Sequence, residues 1–174
     1  MNRRKLALLA LASLATVPGT MIASDARGEI LATRTRTDAS VYGGATYLVD
    51  WNGGAGGGTT VGFSTSAANT KVIVMFNAEC AVEGSPSKYV DIDLVVDPAG
   101  PTGEIIIPPS NGDNAFCSGN GTSTGSPFTL DGWVSAALIG VVTLPQAGAH
   151  TLKVRVNGLS GVTRLDDMSL VVMR

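Results

Sequence analysis

The sequence predicts an all-β fold, a two-sheet antiparallel β-sandwich. Three observations carry that expectation. Apolar residues recur at every second position in several stretches, the period of a strand with one buried face. Glycine, present 22 times, gathers with Ser, Asn, Thr and Pro in connecting stretches that have turn chemistry. No stretch after Val17 keeps a helical apolar stripe, and Lys and Glu, the usual fillers of exposed helix faces, are scarce.

The first 26 residues stand apart from this pattern. Arg3, Arg4 and Lys5 give a positive start, residues 6–17 form an apolar run of twelve, and Pro18 and Gly19 end it. Small residues follow at Ala23, Ser24 and Ala26, so the layout is that of a bacterial secretory signal cleaved after Ala26. The run is too short to cross a bilayer, which takes about 20 residues. The Arg3-Arg4 pair also raises the twin-arginine route, although export of an unfolded chain fits the cysteines better. The expected organisation is therefore a signal peptide over 1–26, a flexible N-terminal arm over 27–40 and a β-sandwich domain over 41–174, in the periplasm or outside the cell.

Loss of residues 1–26 removes three of the 12 basic residues and one of the 14 acidic ones, leaving 9 against 13. A mildly acidic domain without a basic patch argues against nucleic acid as the partner, and no membrane span is expected in the mature chain. Two cysteines in an exported chain read as one disulfide, Cys80–Cys117, with two buried free thiols as the alternative. A single histidine and no C-x-x-C spacing argue against a metal site, and no cofactor is expected.

The elements follow in order. Weak strand signals cover 39–51 and 59–64. Residues 72–80 are apolar on both faces at the start, which predicts a central strand or one covered on its second side. Residues 89–96 alternate, with Val90, Ile92, Leu94 and Val96 inward and Tyr89, Asp91, Asp93 and Val95 outward, the two acids facing solvent. Shorter candidates are 104–107 and 127–130. The run 133–144 reads as a long strand bent or bulged at Gly140. Residues 150–157 place His150, Leu152, Val154 and Val156 on one face, and 168–173 form a closing strand. At most a turn or two of helix is expected, around 164–168. Eight to ten short strands in this length suggest jelly-roll topology first and an immunoglobulin-like Greek key second.

Three segments carry a resemblance: V-I-V-M-F-N-A-E-C over 72–80, A-G-A-H-T-L-K-V-R-V over 147–156, and L-D-D-M-S-L-V-V over 165–172. A Gly/His turn, an alternating strand and a final strand resemble the closing hairpin of exported bacterial jelly-roll proteins of the tumour-necrosis-factor or complement type. That resemblance implies binding or assembly rather than catalysis, often as trimers, and it transfers no functional residue.

Residues 121–125 match G-x-S-x-G, and Asp131 and His150 follow Ser123 in the order of an α/β-hydrolase triad. Its surroundings are a polar Gly/Ser/Thr loop with no strand before Ser123 and no helix after it, so no catalytic residue is assigned. His150 reads as a strand-end residue. The acids Asp91, Asp93, Asp97, Asp113, Asp166 and Asp167 lack the spacing of a calcium loop. Trp51, Tyr47 and Trp133 are candidate ligand-binding rings that could stack on a sugar, although Tyr47, Val49 and Trp51 also alternate as a core face would. Ile73, Met75 and Val95 add apolar side chains to outward faces, so a homo-oligomer is a candidate state. The reading is a non-enzymatic secreted module that binds, adheres or self-assembles. A carbohydrate-binding module is the alternative and a small serine hydrolase the second one.

Overall fold

A computed structural model describes residues 28–43, 46–53, 58–84, 87–97, 103–110, 115–119, 133–158 and 162–174. Its elements are β1 (Ile30–Arg36), β2 (Ser40–Gly43), β3 (Thr46–Leu48), β4 (Val61–Thr65), β5 (Thr70–Val82), β6 (Tyr89–Asp97), β7 (Ile105–Ile106), β8 (Ala115–Ser118), β9 (Val134–Leu144), β10 (Gly148–Gly158) and β11 (Val162–Met173). No helix occurs among the described residues.

All strand pairs are antiparallel, and they form two sheets. Sheet 1 runs β1-β11-β5-β9, with β2 continuing along β11 beyond β1. Sheet 2 runs β3-β10-β6-β7, with β4 continuing along β10 and β8 along β6. When β1/β2, β3/β4 and β7/β8 are each taken as one interrupted strand, eight positions remain. Their orders are 1-8-3-6 and 2-7-4-5, the connectivity of a jelly roll. The immunoglobulin-like alternative is thereby set aside.

The core is the row of side chains that each alternation sends between the sheets. On β5 these are Val72, Val74, Phe76, Ala78, Cys80 and Val82, and on β10 they are Leu152, Val154 and Val156, all buried. The disulfide Cys80–Cys117 crosses this core from β5 in sheet 1 to β8 in sheet 2, with the two Cα atoms 6.4 Å apart. β5 is central in its sheet, between β11 and β9.

Four expectations need correction. Asp91 and Asp93 are only 6% exposed instead of facing solvent, and Val95 is fully buried. β6 has β10 on one side and β7 and β8 on the other, so long polar side chains from its neighbours close over its outer face. β9 carries no bulge at Gly140: its ladder with β5 runs without a shift from Thr70↔Leu144 to Cys80↔Val134. The glycine serves close approach. A Cβ there would lie 2.6 Å from Ile107 Cγ2 and 2.9 Å from the Pro108 carbonyl oxygen, so the turn after β7 rests directly on β9. Residues 164–168 belong to β11, where a register shift between Asp166 and Ser169, with Asp167 at φ 42°, lets Leu165 and Met168 both point inward. Within the expected arm over 27–40, β1 lies along β11, and its Leu31 and Ala32 pack against the core. The candidate strand at 127–130 falls outside the described residues.

Candidate functional site

The two sheets present outer faces of opposite chemistry. On sheet 2, β6 and β10 place Asp91 opposite Asn157, Asp93 opposite Arg155 and Val95 opposite Lys153. Asn157 Nδ2 donates to Asp91 Oδ2 at 3.2 Å and to Asp93 Oδ2 at 2.9 Å, which is how two carboxylates two residues apart remain buried. Arg155 also reaches Asp93 at 3.5 Å, and Glu104 bridges Arg155 and Lys153 above the strands. The Lys153 ammonium, followed by the Arg155 guanidinium, holds the Glu104 carboxyl below the usual carboxylate range. Each charge in this row therefore has an opposite charge or an amide beside it, and the row reads as a closed polar network. No group of three or more metal-ligating side chains occurs among the described residues.

The outer face of sheet 1 has a different make-up. Register across its four strands aligns Ile30, Met173, Ile73 and Val141 in one row and Thr33, Val171, Met75 and Ile139 in the next. Seven of these eight side chains are apolar. Ile30, Ile139 and Val141 are 63%, 52% and 45% exposed, and Ile73, Met75, Val171 and Met173 are half-buried. Charge lies only at the ends of this face. Lys71 begins the outward series of β5 on one side. Towards the other side the series reaches Glu79, opposite Asp166 on β11, and then Ala81, opposite Arg164. Beside Glu79 lies a hollow of about 350 Å³ lined by Asn77, Glu79, Ser135, Ala137 and Asp167. The small side chains of β9 form its floor.

The three rings singled out in the sequence do not share a platform. Trp51 is 6% exposed and packs edge-on against Phe76, with ring centroids 6.3 Å apart, so it is a core residue. Tyr47 is 42% exposed on β3 of sheet 2, 5.8 Å from the Tyr42 ring, and its hydroxyl donates to the Gly43 carbonyl. Trp133 is half-buried just before β9, in the other sheet. A polar hollow of about 230 Å³ does adjoin Trp51, between Arg36, Asp38 and Asn52.

His150 is 2% exposed on the inner face of β10. Its Nε2 lies 3.0 Å from Thr65 Oγ1, and its ring packs on Phe63 with centroids 5.3 Å apart. Ser123 and Asp131 lie outside the described residues. The sequence pointed to Ile73 and Met75 as outward apolar residues but missed Ile139, Val141, Val171 and Met173. Their membership in one face follows from the β11-β5-β9 register, which local periodicity does not encode.

No family model matches the chain, and no curated protein matches it in sequence. Among solved structures, the chain is similar to the infectious bursal disease virus Gx strain structure, with TM-score 0.41 and 13% identity over 94% of this chain and 36% of that one. It is also similar to the CBM22-1 xylan-binding domain from Paenibacillus barcinonensis Xyn10C, with TM-score 0.34 and 13% identity over 82% and 94%. A third likeness is to a carbohydrate-binding module from Cellvibrio mixtus lichenase 5A in complex with cellotriose, with TM-score 0.29 and 16% identity over 84% and 98%. The chain spans about a third of the length of the viral protein. These likenesses are of overall architecture, and the jelly-roll assignment rests on the strand order. The tumour-necrosis-factor and complement type is not confirmed by them.

Proposed function

We propose that this chain is an exported, non-enzymatic β-sandwich that works by surface contact, as a binding or assembly module, and that the outer face of sheet 1 is its contact surface. The observation that carries this reading is the pair of aligned apolar rows across β1, β11, β5 and β9. Four strands spaced about 4.8 Å apart, over the nine residues from Lys71 to Glu79 at about 3.3 Å each, make a face of roughly 19 by 26 Å, or about 500 Å², of which the two apolar rows take up roughly half. A contiguous apolar strip of that kind on a sheet face is often a functional surface. Sheet 2 shows the contrast, since its outer face is covered by ion pairs and amide hydrogen bonds.

Export rests on the signal layout of residues 1–26 and agrees with a disulfide, a bond that persists in oxidising compartments. The non-enzymatic reading is supported by His150, whose ring is held between Thr65 and Phe63 inside the sandwich and so is not presented to an exposed nucleophile.

Met75 and Met173 lie on the proposed contact face, while Met168 is buried in the core at 1% exposure. Peroxide footprinting uses this difference. Met75 and Met173 should oxidise several-fold more slowly in native-source material than in dilute purified protein, with Met168 slow in both. Equal rates at Met75 and Met173 in the two preparations would refute the reading.

A further inference from the structure

We infer that the occupant of this face is a second copy of the chain, stacked on it so that β5 runs antiparallel to β5 of its partner. The inference rests on the reading of sheet 1 as the contact surface, and it adds the partner and the register.

The charge pattern supplies the first argument. Outward side chains of β5 read Lys71, Ile73, Met75, Asn77, Glu79: a base, an apolar centre and an acid, with about 26 Å between the ends. Asp166, opposite Glu79, and Asp167, exposed at the β11 register shift, add to the acid at this end, and Arg164, opposite Ala81, stands beside them, so three carboxylates outnumber one guanidinium there. Two copies stacked with their strands in the same direction would set acid against acid and Lys71 against Lys71. A two-fold axis lying across the strands reverses one copy. Each Lys71 then meets the acidic end of the other copy, and the apolar rows cover each other. This is an isologous contact, so every favourable pair forms twice.

The second argument is shape. Ser135 and Ala137 are short, so the face dips beside Glu79 into the hollow of about 350 Å³ that Asp167 also lines. A floor of short side chains with a carboxylate rim leaves room for the four-carbon stem of a partner's lysine and opposes its ammonium head with charge.

Area sets the strength. About 500 Å² from each copy gives roughly 1,000 Å² in total, the lower limit for a specific interface. An interface at that limit belongs with weak and reversible contacts.

Sedimentation velocity on the full mature chain tests this over a concentration series. A reversible monomer–dimer equilibrium is expected. Lys71→Glu and Glu79→Lys should each raise Kd about tenfold or more, since each places like charges together. Mixing the two single variants should restore dimerisation as a heterodimer, because the acid introduced at position 71 of one copy then meets the base introduced at position 79 of the other, while the second copy's Lys71 meets the unchanged Glu79 of the first. Both positions are on the surface, and circular dichroism reports folding. Should Glu79→Lys fail to fold, Asp167→Lys replaces it. A chain that stays monomeric up to about 1 mM, or a dimer indifferent to these charge changes, overturns the inference. If the chain is monomeric and yet Met75 and Met173 are protected in native material, the contact surface stands and the second copy does not.

Discussion

Removing the disulfide should cost this fold a large part of its stability. The bond joins positions 37 apart and closes a loop of about 38 residues that contains β6 and β7. For a loop of that length, the lost chain entropy is about 13 cal/mol/K, or about 3.9 kcal/mol at 25 °C. Domains of this size are stable by about 5–15 kcal/mol in total. With a urea m-value of about 2 kcal/mol/M, the unfolding midpoint should fall by about 2 M. Trp51, buried against Phe76, gives a fluorescence signal for the transition. Two perturbations should be compared. The Cys80→Ala/Cys117→Ala variant removes the sulfur atoms and leaves a small void at the fully buried position 80, whereas reduced wild type keeps every heavy atom. Reduced protein isolates the cross-link, and the variant should be slightly less stable still. Midpoints within about 0.5 M of the oxidised protein in both cases would refute the reasoning. They would mean that β6–β8 are held against β5 as firmly by packing alone.

Two further outcomes follow from buried polar groups. Asn157→Leu takes both amide donors from Asp91 and Asp93, at a cost of about 3 kcal/mol, and should lower Tm by about 6–12 °C. A shift of a degree or two in a thermal melt would show that other partners suffice. Burial pushes the Tyr42 phenol above the usual tyrosine value of about 10, with the Ser40 hydroxyl and the Arg36 charge pulling the other way. The folded state thus holds this proton more tightly than the unfolded one. Stability is unaffected below about pH 10 and declines as pH rises through the unfolded value towards the higher folded one. Absorbance titration at alkaline pH should show one tyrosine ionising together with unfolding. Tyr42→Phe should remove that step and move unfolding to higher pH, and an unchanged titration would refute the assignment.

Much of the fold could be read from local pattern because two-residue alternation and turn chemistry are local properties. The strands at 72–80, 89–96, 133–144 and 150–157 all appear within one or two residues of their observed bounds. Misreadings occurred where a distant residue decides the outcome. Gly140 looked like a bend because its neighbour Ile107 is some thirty positions away in sequence and in the other sheet. Residues 164–168 looked irregular because Leu165 and Met168 break the two-residue period, and the break is a bulge.

The candidate site depends on the same distinction. β6 alternates apolar and acidic residues and so resembles a strand with a wet face, yet Asp91, Asp93 and Val95 are buried. β5 carries apolar residues on both faces and so resembles a strand covered twice, yet its outer neighbours Ile139 and Val141 are about half exposed. Alternation tells which side chains share a face. It does not tell what covers that face. For β6 the cover is within the chain: Asn157 and Arg155 from β10, with Glu104 reaching across. For β5, none of the described residues covers the outward Ile73 and Met75 in the same way, although their composition is that of a buried surface. A strand written for burial on two sides, in a fold that buries one, is satisfied when another molecule supplies the second cover. The Lys71-to-Glu79 polarity makes a reversed copy of the same face a chemically matched choice for that cover.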